Sequence, residues 1–86
     1  MARQRPLEVI ERAEFVTVGE LVRLTGMRYS TLKFYTEEGM LPFRQAEANL
    51  TRRYPREEAL ARLAEIRQLK AEGLSVPQMK EILLRK

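Results

Sequence analysis

Arg28, Tyr29 and Ser30 open a helical pattern, and Lys33 follows one turn on. Further along, Arg52-Arg53-Tyr54 closes a polar stretch that has Arg44 on its other arm. Guanidinium, ammonium and hydroxyl groups in this pattern grip anions and read hydrogen-bonding edges; they do not make or break bonds. Arg pairs bidentately with guanine, Tyr offers a hydroxyl to phosphate or a ring edge to a thymine methyl, and Lys meets phosphate as a point charge. The plain alternative is a solvated face, which is reason enough for Arg, Ser and Lys on a surface helix. Tyr29 fits that alternative least, being large and placed to face outward.

The remaining inventory argues against catalysis. The chain has no cysteine and no histidine, which removes disulfides, thiolate metal sites, the commonest general base and the strongest nucleophile. A zinc site would need carboxylates alone, so neither a metal nor any other cofactor is expected. No apolar run approaches the roughly 18 residues of a membrane span, and the start, MARQRPLEVIERAEF, has no signal-peptide core. A cytoplasmic protein without a membrane partner is the expectation. Net charge is +4 over 86 residues. Residues 28–56 hold six basic and three acidic side chains, so most of the excess sits in the middle third. A local basic surplus suits a polyanion.

The elements that must position these side chains are short. Eighty-six residues make one domain with a small core. Thr17-Val18-Gly19-Glu20 fits a capping box, so a first helix begins at Val18, lined by Val18, Leu21, Val22 and Leu24, and Gly26 ends it. The second, reading helix runs from about Arg28 to Glu38, with Met27, Leu32 and Tyr35 at helical spacing and Gly39 as its stop. So short a turn forces the two helices to cross, as in helix-turn-helix units. Met40-Leu41-Pro42 leaves in an extended direction, because the residue before proline avoids helical angles. Phe43 to Arg53 then reads as a loose hairpin or wing with its tip near Glu47 to Asn49. Consecutive residues in an extended segment face opposite ways, so one of Arg52 and Arg53 should face the ligand while Tyr54 turns inward.

A third helix spans about Arg56 to Glu72, with Ala59, Leu60, Leu63, Ile66 and Leu69 inward and Arg62, Glu65, Arg67 and Lys70 outward. Ser75-Val76-Pro77-Gln78 caps a fourth helix to about Arg85, with Met79, Ile82 and Leu83 inward. The fold class is therefore mainly α: a winged helix-turn-helix of about four helices, the wing lying between the second and third. Residues 1–14 read as an N-terminal extension with a brief helix whose apolar face is Leu7, Val9 and Ile10, and residues 15–86 as the domain.

Six pieces in order carry a resemblance: Val18-Gly19-Glu20-Leu21, Leu24-Thr25-Gly26, Thr31-Leu32-Lys33-Phe34-Tyr35, Glu38-Gly39-Met40-Leu41-Pro42, Arg52-Arg53-Tyr54, and Ile66-Arg67-Gln68-Leu69-Lys70 with Gly73-Leu74-Ser75. Together, over about 70 of the 86 residues, they resemble the winged-helix DNA-binding domain of MerR-family transcription regulators. The resemblance implies sequence-specific binding to double-stranded DNA, with the second helix in the major groove and the wing on the flanking backbone. It implies contacts from Thr17, Arg28, Tyr29, Ser30, Lys33, Arg52 and Arg53, with Tyr35 and Tyr54 near the interface or supporting it. The chain departs from the family at Arg28, where a small polar cap is usual, and at Lys33, where Arg is usual. It also departs at Asn49-Leu50-Thr51-Arg52, where Asn-Gly-Tyr-Arg is common. Family regulators continue into a dimerisation coiled coil and a sensor domain, which these residues do not include; whether the chain is whole or a piece is open.

A single module of this size needs a second copy on DNA, as a homodimer or a cooperative array. Two other readings stand beside a regulator: an architectural factor of the excisionase or phage-packaging kind, and a protein-interaction module that uses the apolar end of the fourth helix.

Overall fold

The computed structural model describes residues 4–47 and 50–85. Among them are five helices and one small antiparallel sheet. The extra helix, α1, is a single turn, Leu7–Ile10. The sheet pairs β1 (Phe15–Val16) with β2 (Tyr54–Pro55), Val16 standing opposite Tyr54. The mainly helical, winged helix-turn-helix class expected from the sequence is the one observed.

Local chemistry sets several of the helix boundaries. Helix α2 (Val18–Thr25) starts at a complete capping box: Glu20 N–H donates to Thr17 Oγ1 at 3.2 Å and Thr17 N–H donates to Glu20 Oε1 at 2.9 Å. Gly26 closes it in the left-handed region, φ 75°, where any L side chain would be strained. Helix α3 (Tyr29–Glu37) stops in the same way at Gly39, φ 77°. Helix α4 (Arg56–Ala71) follows β2 directly, and α5 (Val76–Leu84) opens on the Ser75–Gln78 capping box.

The core gathers residues from every element. Ile10, Val16, Leu21, Leu32, Tyr35, Met40, Leu41, Tyr54, Ala59, Leu63, Ile66, Met79 and Leu83 are all buried. Val18, Val22, Leu24, Met27, Leu60 and Leu69 pack half-buried around them. Among the described residues one polar residue joins the core: Thr36 Oγ1 donates to Leu32 O at 2.8 Å and accepts from Tyr54 Oη at 2.9 Å. That pair ties the helix Tyr29–Glu37 to the base of the wing.

Three placements differ from those expected. Of the α1 residues only Ile10 is buried; Leu7 and Val9 stay exposed, because one helical turn points a single side chain inward. Ile82 is 50% exposed. Each helical residue turns by about 100°, so the stripe Val76–Met79–Leu83 faces α4 while Ile82 and Leu84 lie on its flanks. Arg62 does not face solvent freely: it donates to Met40 O at 2.7 Å, giving a donor to a carbonyl just past the end of α3. The strand β1 is an addition that no sequence pattern announced.

Candidate nucleic-acid interface

The interface is built on three supports: the cap of α2, the head of α3 and the wing. Arg28 is the N-cap of α3 with extended backbone and no capping side-chain bond, so its guanidinium is free to project. Tyr29 follows at 55% exposure, with Ser30 and Lys33 exposed beside it. The opposite face of the helix anchors it through Leu32, Tyr35 and Thr36.

The wing is held by backbone pairing. Arg44 and Arg53 exchange hydrogen bonds, N–H to carbonyl, at 2.6 and 2.8 Å. Gln45 Nε2 donates to Leu50 O at 2.6 Å across the turn. The expected tip at Glu47 to Asn49 falls partly on Ala48 and Asn49, which lie outside the described residues. At the base, the Phe43 and Tyr54 rings meet at 6.2 Å between centroids, and the Arg52 guanidinium sits 4.9 Å over the Phe43 ring.

Arg52 and Arg53 part to different sides, as consecutive residues of an extended segment do. Arg52 joins Tyr29, Lys33, Gln45 and Thr51 around a cleft of about 410 Å³ between wing and α3, with Glu37 as an acidic wall. Arg53 joins Arg5, Thr17 and Thr51 around a second cleft of about 410 Å³. Thr51 lines both. Among the described residues, Arg28, Lys33, Arg52 and Arg53 have no carboxylate partner, whereas Arg5, Arg56, Arg62, Lys80 and Arg85 do. Unpaired charge is the charge that remains available to a polyanion.

Tyr35 and Tyr54 are 5% and 2% exposed; Tyr54 lines the cleft of Lys33 and Arg52 from beneath, while Tyr35 lines a different one with Met27, Thr31 and Lys70. Arg44 is exposed and backbone-paired with Arg53, but it lines a separate cleft with Glu14, Arg56, Glu57 and Glu58. Thr17 caps α2 through its oxygen lone pair and donates its own O–H to no described residue, so capping leaves that proton free.

Sequence reasoning missed Arg5. Its Nε and Nη2 donate to the two oxygens of Glu20 at 2.8 and 2.7 Å, and Nη2 also reaches Phe15 O at 3.1 Å. The Arg5 guanidinium holds the Glu20 carboxyl below its ordinary range, against partial burial and with help from the Thr17 N–H; Arg5 itself is raised by the same pair. The only hint in the sequence was the basic start of the chain. No group of three or more His, Cys, Asp or Glu that could hold a metal occurs among the described residues, and no described helix is long and apolar enough to cross a membrane.

Two crossed helices, a wing and a row of unpaired cations define a helix-turn-helix domain of the DNA-binding class. A family model described as MerR HTH family regulatory protein matches residues 16–86, and the chain belongs to that non-enzymatic family. It is similar to a protein of Chromobacterium violaceum named HTH-type transcriptional activator SoxR homolog, 39% identical over 61 residues, which are 71% of this chain and 40% of that protein. The chain thus spans less than half the length of this relative. No solved structure matches it.

Proposed function

We infer that the chain is the sequence-specific DNA-binding part of a transcription regulator, working on double-stranded DNA in the cytoplasm. In this reading α3 enters the major groove. Arg28 and Tyr29 meet base edges, Ser30 and Lys33 meet base or phosphate, and Arg52 and Arg53 clamp the flanking backbone. Thr17 offers its free O–H to a phosphate, Arg44 is at most a distant contact, and Tyr35 and Tyr54 hold the scaffold. Residues 15–86 form the binding domain, and residues 1–14 are an extension docked on it through Ile10. Two copies share the DNA as a homodimer or a cooperative array, since one small module binds weakly.

The observation that carries this reading is the convergence of Tyr29, Lys33 and Arg52 on one cleft with no carboxylate pairing either cation. Major-groove readers need that combination, a protruding helix head flanked by phosphate-binding cations. Selection of the chain against a pool of random duplexes tests it. A recurring motif, protected as two half-sites about one helical turn apart or a multiple of it, is the expected outcome. A recovered pool no different from the starting pool would refute it.

A further inference from the structure

We propose that the N-terminal segment is a DNA-contacting arm in which Arg5 meets the phosphate backbone beside Arg53. The proposal rests on the double-stranded DNA reading above and extends the interface to a part of the chain outside the matched family region, residues 16–86.

Four observations carry it. First, Arg5 and Arg53 line the same cleft with the hydroxyl-bearing Thr17 and Thr51, so the arm's cation is continuous with the wing's. Second, Arg5 is fixed rather than trailing: Glu20 grips it at two points, Phe15 O at a third, and Arg23 Nη1 donates to the Arg5 carbonyl. Third, its Nη1 has no partner among the described residues and its side chain is 43% exposed. One edge of the guanidinium is therefore spent on the scaffold while Nη1 remains open to a further acceptor, which suits a preorganised phosphate donor. Fourth, the pairing offsets the Glu20 carboxylate, which would otherwise stand bare at the start of α2 and repel a phosphate near Thr17. Lys in place of Arg would keep the charge and lose the fork.

The two possible roles of Arg5, contact or mere tether, give different results. The full chain is titrated against random-sequence duplex DNA over a salt series, with thermal melting as a control for folding. Each phosphate contact contributes about 0.9 to the slope of log K against log salt. Arg5→Gln is expected to make the slope shallower by about that amount, as Arg53→Gln does, so that its deficit against the unaltered chain is largest at low salt and shrinks about 3.5-fold for each fourfold rise in salt. Arg5→Lys restores the slope. Glu20→Gln leaves the slope undiminished, because Arg5 keeps its charge, and weakens binding less than Arg5→Gln does. A wild-type slope in Arg5→Gln would overturn the arm while leaving the DNA reading intact. So would equal weakening by Arg5→Gln and Glu20→Gln, the mark of a purely structural pair. Failure of the unaltered chain to bind any duplex would instead remove the DNA reading itself.

Discussion

Glu20 serves two masters at the residue scale. It accepts from the Thr17 N–H and from Arg5; the ion pair with Arg5 needs the carboxylate, whereas an amide oxygen can accept from the cap N–H, as Gln78 does at Ser75. Its acidity is strengthened in the folded state, so the stability it supplies is present above its ordinary value of 4.5 and is lost as pH falls below that value toward its folded one. Thermal melting followed from neutral pH downward should therefore show Tm falling in that range, and Glu20→Gln should flatten that part of the curve. An unchanged acid limb in the variant would place the sensitivity on other carboxylates. Arg28 and Lys33 make a second contrast. Lys33→Ala should weaken binding to all duplexes about equally, whereas Arg28→Ala should relax preference at one base pair by about 1–3 kcal/mol. Competition between related duplexes separates the two.

Most of the architecture at the element scale was legible, because its signals are local. Capping boxes four residues long set the starts of α2 and α5, and glycines with positive φ set the ends of α2 and α3. What stayed hidden depends on partners distant in sequence. The strand β1 is two residues long and exists only because Tyr54 and Pro55 come to lie beside it. Arg5 gains its role from a residue 15 positions away. Ile82 and Leu83 are alike as residue types, and only the position of α4 decides which is covered. The same distinction yields two tests. Ile10 is fully buried, so Ile10→Ala should cost about 2–4 kcal/mol in denaturant unfolding; a negligible loss would mean that α1 is not part of the cooperative unit. Tyr54→Phe removes the bond to Thr36 but leaves Thr36 bonded to Leu32 O, so the loss should be near 1 kcal/mol.

Charge is unevenly paired over the whole molecule. Carboxylates pair with Arg5, Arg56, Arg62, Lys80 and Arg85, and of these Arg5 lines a cleft with Arg53. Arg28, Lys33, Arg52 and Arg53 have no carboxylate partner among the described residues, and neither do Arg12, Arg23, Arg44, Arg67 and Lys70; Lys33 and Arg52 are the two that share the cleft between α3 and the wing. The +4 total conveys little of this, since the same sum spread evenly would bind nothing in particular. The most direct measurement is therefore duplex affinity as a function of salt. With about five phosphates engaged, log K should fall against log salt with a slope of about −4 to −5. A slope near zero, or no binding to any duplex at low salt, would contradict the account.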